Sequence, residues 1–359
     1  MQRKELSFKG QKVFIGIDVH KKSWTVTVLL EIGAPKTFTQ APSAQTLLDF
    51  LKKHYPDGEY HVVYETGFTG YSTYYALKEV GIDCIIVNAA DVPSTQYENI
   101  MKSDPIDSVK LAKALRANLL KGIYVPSVDN LDDRAVLRFR KTVQLDIAKY
   151  KVRIKHTLHC NGICIPERFQ RSSHLSSAYL QWLREEVILL SSSRSSLDLL
   201  INQAVISRQG LLAANREIYR LIRSPRYKEK ADRLCSIPGI GPVCAMTLLT
   251  EIVDFSRFHN ERQFASYLGL IPTCHSSGEH KSMGEMTSRG NKKLGPVLIE
   301  ASWKAIVADD GLAISYSNYK RRGLKPQEAI VRIARKLSNI ILSVMKNEAQ
   351  YKTSYAYLA

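Results

Sequence analysis

A chain of 359 residues is long enough for two or three domains and a sizeable core. It carries 51 Lys and Arg against 34 Asp and Glu, a net charge of +17. That surplus points to a polyanion, because each phosphate neutralised by a cation releases condensed counterions. No apolar run approaches the roughly 18 residues that span a bilayer, and no lipidation motif or basic amphipathic terminal helix offers a membrane surface instead. The opening MQRKELSFKG lacks the apolar stretch of a secretory leader. The expectation is a cytoplasmic protein with a nucleic-acid partner, no membrane, and reduced thiols, since its six cysteines contain no CxxC pair.

The first apolar segment, KVFIGIDV at 12–19, predicts a buried strand ending in an acid, and the β-branched WTVTVLL at 24–30 predicts its hairpin partner across a turn at His20-Lys21-Lys22. A short strand is expected near Thr37–Thr39. Ser43 is placed to cap a helix whose Leu47, Leu48 and Leu51 share a side. YHVVYE at 60–65 predicts another acid-ended strand, followed by a helix over 71–80, the strand IDCIIVN at 82–88, and a helix from Pro105 to Leu120. Strand pairs separated by helices demand a layered α/β domain, and this order is that of an RNase H-like fold.

Beyond Asp129 the pattern turns helical. Val136, Phe139, Val143, Ile147, Tyr150 and Ile154 recur at helical spacing among Lys and Arg. Further helices are expected over 178–190 and 197–222, with Gly210 as an interruption and SSSRSS at 191–196 as a polar turn. Long helices without intervening strands suggest a coiled-coil spacer. After the Ser224-Pro225 boundary, helices are expected at 242–253, 260–268, 292–308 and 326–346, around a Gly- and Ser-rich loop at 273–290. His156, His159, Cys160 and Cys164 invite a zinc site. A helix-face stripe with small thiols packed on a neighbour fits better, because zinc usually draws ligands from two segments.

Four carboxylates stand out. Asp18 and Glu65 each end a strand; Asp104 and Asp107 are three apart at a helix start and so share a face. Clustered carboxylates repel and raise one another's pKa, a cost that Mg²⁺ or Mn²⁺ removes. Such ions activate a nucleophile and steady the leaving oxygen at a phosphodiester. Asp104-Pro105-Ile106-Asp107 also has the composition of an ordinary helix N-terminus, with Asp104 as the cap. Glu65 before Thr66-Gly67 also suits a plain strand-ending turn. It is the joint placement of the four that favours a cation site.

Two further stretches bear on nucleic acid. Gly239-Ile240-Gly241-Pro242 enters a helix, where backbone N–H groups at a positive dipole end suit a DNA phosphate as in a helix-hairpin-helix element; a plain interhelical turn fits equally well. In GLIPTCHSSGEHKSMGEMTSRGNKKL, Ser276 and Ser277 precede Gly278, and Lys281, Arg289, Lys292 and Lys293 are candidates for phosphate contacts. A serine needs activation to attack phosphorus, and His275, Glu279 or His280 are candidates for that help. Composition alone suits a flexible surface loop better.

IGIDVHKKSWTVTVL, YETGFTGY, KSDPIDSVKLAKAL, SIPGIG, FASYLGLIP and SSGEHKSMGEMTSRGNKKL, in this order, resemble the successive signatures of IS110/IS1111-type transposases and cover most of the chain. The resemblance implies a RuvC-like domain over 1–125 with a metal-binding DEDD set at Asp18, Glu65, Asp104 and Asp107. It implies a helical coiled-coil spacer over 126–228 and a mostly α C-terminal transposase domain over 229–359. The family's nucleophilic serine precedes a glycine shortly after a GL-x-P turn, which here is Ser277, with Ser276 adjacent. Also implied are DNA substrates, a homo-oligomer in which one subunit's acids meet another's serine and, as in some members, a structured guide RNA. Glu279-His280 after the Ser-Gly pair matches no firm family pattern.

Three readings follow: a metal-assisted transposase or recombinase with a serine nucleophile; a RuvC-like nuclease acting on branched DNA with water as nucleophile; and a non-catalytic nucleic-acid-binding protein. They differ in what replacement of Asp18 or Ser277 would abolish.

Overall fold

The structure is a computed structural model that describes residues 7–96, 103–170, 175–277, 280–287 and 289–352, with residues 273–285 described by backbone alone. The chain divides into two compact units, one up to Val125 and the other from Pro126.

The first unit is built on a five-stranded sheet of order β3-β2-β1-β4-β5. Its strands are β1 (Lys12–Val19), β2 (Trp24–Leu30), β3 (Lys36–Gln40), β4 (Glu59–Glu65) and β5 (Asp83–Val87). The first three form an antiparallel meander, and β4 and β5 run parallel to β1. Side chains alternate along a strand, so β1 has two faces. Val13, Ile15 and Ile17 enter a core with Leu47, Leu48 and Leu51 of helix α1 (Ala44–His54) and Leu77 of helix α2 (Ser72–Glu79). Ser43 caps α1 by accepting from the Thr46 N–H, as its position predicts.

Gly16 and Asp18 belong to the opposite face, covered by helix α3 (Asp104–Arg116). There Val63, Val87, Val92 and Leu111 form a second, smaller core. A Cβ on Gly16 would sit 2.2 Å from the Ser108 carbonyl oxygen and 2.6 Å from the Ala112 nitrogen. The glycine is therefore what lets α3 lie directly on β1. A buried hydrogen bond between the hydroxyls of Thr27 and Ser108 (2.8 Å) pins the same helix to β2.

The second unit is mostly helical. Helix α4 (Val128–Cys160) runs antiparallel to helix α7 (Ser191–Ile222): Arg140 donates to Asn215 at one level, while Ile154 and Leu158 share a core with Leu197, Ile201 and Ala204 at another. Gly210 lies inside α7 and does not break it. The run at 191–196, expected as a turn, forms the first turns of that helix instead. Arg194 holds it there, pairing with Asp198 and donating to the Leu183 and Val187 carbonyls. Between them lie the short α5 (Glu167–Gln170) and α6 (Ser177–Glu185), which ends five residues before the expected Leu190.

The rest comprises α8 (Lys228–Cys235), α9 (Pro242–Ile252), α10 (Glu261–Tyr267), α11 (Leu294–Ala308), α12 (Asp310–Arg321) and α13 (Pro326–Lys346) around one apolar core. α8 and α12 went unpredicted. Where a loop was expected at 273–290, the backbone forms a hairpin of β6 (Pro272–Ser277) and β7 (His280–Met286). PTCHSS and HKSMGEM offer few β-branched residues, so the strand signal is weak in the sequence. The base of the hairpin is fixed by backbone instead. Thr287 N–H donates to Ile271, Asn291 N–H donates to Tyr267, and a Cβ on Gly290 would fall 2.3 Å from Gly269.

Candidate active site

The register of β1 against β4 pairs Gly16 with Val63 and Ile17 with Tyr64, which makes Asp18 and Glu65 the next neighbours at one sheet edge. Both belong to the face that carries α3. That helix delivers Asp107, and a small cavity of about 130 Å³ is lined by Asp18, Glu65, Thr66, Gly67, Thr69 and Asp107. Asp104 reaches the same edge through His20, whose Nε2 lies 3.2 Å from Asp18 Oδ2 and 3.4 Å from Asp104 Oδ2. The four acids named from the sequence are thus brought to one place.

Asp104 does so from the first turn of α3 and not as its cap, the alternative that its sequence also allowed. Ser103, not Asp104, occupies the cap position of α3, and no side chain there makes a capping hydrogen bond. Asp104 is the first residue of the helix and its carboxylate is turned to His20 instead. Two nitrogen-bearing partners were also missed. His20 passed as a turn residue, although it stands two positions after Asp18 at a strand end and so returns to the same face. Lys110, one helical turn beyond Asp107, donates to Asp107 Oδ1 at 2.9 Å and lies 3.6 Å from Glu65 Oε1.

The electrostatics suit a divalent cation. Burial pushes the Asp18 carboxyl above the usual carboxylate range; the charges of Asp104 and Asp107 add to that, and His20 works against it. Glu65 Oε1 is buried with no hydrogen-bond donor, and the charge that offsets this cost is the Lys110 ammonium 3.6 Å away. Among the described residues, Asp18, His20 and Asp104 form the one group of three potential ligands, their nearest ligand atoms all within 4.8 Å of one another. Oxygen-rich donors of this kind fit Mg²⁺ or Mn²⁺.

The His156 cluster does not assemble. Helix α4 ends at Cys160, Gly162 turns with φ +68°, and Cys164 lies beyond the helix. Cys160 rests 3.5 Å from His156 Nε2, and both thiols are exposed rather than packed on a neighbour.

In the second unit, Ser277 ends β6, paired in register with His280, and Ser276 is paired with Lys281. Gly278 and Glu279 lie outside the described residues, as do the side chains of Ser276, Ser277, His275, His280 and Lys281. Gly239 has φ +85°, and a Cβ there would meet the Ala301 carbonyl oxygen at 2.4 Å, so this glycine serves close packing on α11. Gly241 caps α9 with open space beside it. Arg289 and Lys292 are exposed. Lys293 is half-exposed and lies 3.8 Å from Glu251, a buried carboxylate that also pairs with Arg134 and Arg138.

Residues 15–160 match the DEDD transposase model of IS110-type elements. This sheet with its converging acids therefore defines a DNA transposase of a class that depends on a divalent cation. Residues 231–317 match a second model, described as the transposase IS116/IS110/IS902 family. With both models in tandem, the chain belongs to the IS110/IS1111 family of transposases. It is 26% identical to the transposase for insertion sequence element IS1533 of Leptospira borgpetersenii, over 70% of this chain and 73% of that one. It is 23% identical to the transposase for insertion sequence element IS1111A of Coxiella burnetii, over 71% and 70%. A pilin gene-inverting protein of Moraxella bovis is 30% identical over 38% of this chain and 43% of its own. No helix among the described residues is long and apolar enough to cross a membrane.

Proposed function

We propose that this transposase cuts and rejoins DNA by two successive transesterifications, with Ser277 as nucleophile and Asp18, Glu65, Asp104 and Asp107 holding Mg²⁺ or Mn²⁺ at the scissile phosphate. The observation that carries the acid assignment is their convergence on one RuvC-like sheet edge, with the Asp18 carboxyl raised by burial and by the charges of Asp104 and Asp107. A bound divalent cation would supply charge neutralisation for the phosphate and for the oxygen that departs.

The chain's own part is as follows. The Ser277 oxygen forms a bond to phosphorus as the bond to one DNA oxygen breaks, and the serine proton passes to a neighbouring base. A DNA hydroxyl then attacks the phosphoserine and releases the serine. The two steps conserve the number of phosphodiester bonds, so no external energy source is needed. Lys281, Arg289, Lys292 and Lys293 hold the DNA backbone, and Gly241, with open space at the α9 N-terminus, offers N–H groups to a phosphate.

The division of labour is a RuvC-like domain over 1–125, a coiled-coil spacer over 126–228 and a C-terminal domain over 229–359. Acids and serine come from different subunits of a homo-oligomer, as the family resemblance implies. Leu145 and Val152 on α4, and Leu199 and Ile206 on α7, support oligomerisation: each pair is seven residues apart and 49–68% exposed. A structured guide RNA is consistent with the net charge of +17.

The test compares Ser277→Ala with Ser276→Ala in a strand-exchange assay, with a denaturing gel for covalent protein–DNA adducts. Ser277→Ala should lose both exchange and adduct. Full exchange by Ser277→Ala overturns the nucleophile, and cleavage by both variants without any adduct points to water. Mixing inactive Asp18→Asn with inactive Ser277→Ala should restore exchange if the site is shared between subunits.

A further inference from the structure

The acid site is not uniformly acidic, and two nitrogen-bearing side chains divide it. On one side His20 Nε2 stands between Asp18 and Asp104, at 3.2 and 3.4 Å. On the other, Lys110 Nζ stands between Asp107 and Glu65, at 2.9 and 3.6 Å. The two groups are unlike in kind. An imidazole nitrogen has a lone pair and ligates metals, while an ammonium has none and only competes with them. They also differ in freedom. The His20 side chain is 49% exposed and Lys110 11%, the latter closed in between α3 and the sheet.

We propose that Lys110 permanently fills the place of a second divalent cation, which narrows the four-acid reading above: a single ion is held directly by Asp18, His20 and Asp104, while Glu65 and Asp107 border it through a built-in ammonium. The inference rests on the reading of the acids as a cation site. The separations on the His20 side suit it. Donors at about 2.1 Å from an octahedral ion lie roughly 3 Å apart along an edge, close to what His20 Nε2 makes with either aspartate. On the Lys110 side the ammonium already lies within ion-pair range of both remaining carboxylates. A second divalent ion there would have to displace a largely buried cation anchored on the same helix as one of its ligands. Lys110 is then a positioning residue for Glu65 and Asp107, and it leaves the cavity beside them to the phosphate.

Mn²⁺ binding to the full-length protein, counted by electron paramagnetic resonance with free Mn²⁺ as the probe, tests this. Wild type should bind one ion per chain, and Lys110→Arg likewise. Lys110→Met and Lys110→Gln should bind two, with the exchange-coupled spectrum of a close manganese pair. His20→Ala should weaken the wild-type ion about tenfold or more. Circular dichroism establishes which variants are folded, and the wild-type count decides if neither neutral variant is. Two ions in wild type, or one ion in folded Lys110→Met and Lys110→Gln, overturns the role of Lys110 and leaves the cation site standing. No ion in wild type, or binding unchanged by Asp18→Asn, overturns the cation site itself.

Discussion

Asp18 and Glu251 are both carboxylates drawn back from water at the end of an apolar segment, yet their proton affinities move in opposite directions. Asp18 shares its surroundings with three other acids, and burial together with Asp104 and Asp107 lifts its pKa against the pull of His20. Burial also works to lift Glu251, but a hydrogen bond from Arg138 and the charges of Arg134, Arg138 and Lys293 carry it below the ordinary range. One site has too few cations for its acids and the other too many for its single acid. The first has the charge balance of the cation site proposed above. The second holds arginine and lysine side chains in place, two of them half-exposed, where a polyanion can reach them.

Neutralising each carboxylate should therefore have opposite consequences. The largest effect is expected on chemistry at the first site. Asp18→Asn should lower strand exchange by roughly a thousandfold, ~4 kcal/mol of transition-state stabilisation, while a gel-shift assay shows DNA binding retained. Activity within tenfold of wild type would remove Asp18 from the site.

At the second site the effect is expected on stability. Glu251→Gln leaves the buried Arg134 guanidinium without its carboxylate, and breaking such a buried pair costs about 3 kcal/mol, read as a lower urea midpoint at unchanged slope. Because the folded pKa of Glu251 is depressed, its contribution is complete above the unfolded pKa and fades as pH falls through the folded one. The midpoints of wild type and variant should converge in acid. A difference that persists unchanged there would show that packing, not charge, is what Glu251 supplies.

The contrast also depends on α3 lying tight against β1. Gly16→Ala places a Cβ 2.2 Å from a backbone oxygen, and overpacking of this kind costs roughly 1–3 kcal/mol. The same substitution should weaken Mn²⁺ binding, since Asp104 rides on the displaced helix. A variant that melts lower but binds Mn²⁺ as wild type would separate the fold from the site.

Much of the first unit was legible because its signals are local and periodic. KVFIGIDV and WTVTVLL specify strands by β-branching, Ser43 caps by residue type, and an acid at the end of an apolar strand announces itself. For Asp104 a cap reading competed with the cation site, because Asp-Pro-x-Asp also satisfies the statistics of a helix start; the neighbouring His20 shows where its carboxylate goes. Lys110 and Gly16 were missed for a related reason: their roles depend on which strand and helix meet, a contact separated by many residues in sequence. The hairpin at Ser277 was hidden because it is held at its base by glycine contact and backbone hydrogen bonds, neither of which leaves a β-branched pattern. SSSRSS failed for the converse reason. Its serines suggest a turn, but the Arg194 ties to Asp198, Leu183 and Val187 outweigh their propensity.

The smallest predicted effect is the one that most directly reads the state of the first site. A carboxyl whose folded pKa is raised binds a proton more tightly in the native state than in the unfolded one, so ionising it costs stability as pH rises between the two values. At neutral pH Asp18 therefore destabilises the cation-free protein, the opposite of Glu251. Asp18→Asn, inactive in strand exchange, should melt higher than wild type in EDTA, by roughly 1–3 °C on the usual relation between free energy and melting temperature. That advantage should shrink as pH falls through the raised pKa of Asp18 toward the ordinary carboxylate value. Adding Mn²⁺ should reverse the order, since wild type binds the ion and gains stability by mass action while the variant does not. A wild type that already melts higher than Asp18→Asn in EDTA would mean that His20 alone satisfies Asp18. The acids would then form a closed network with no call for a cation.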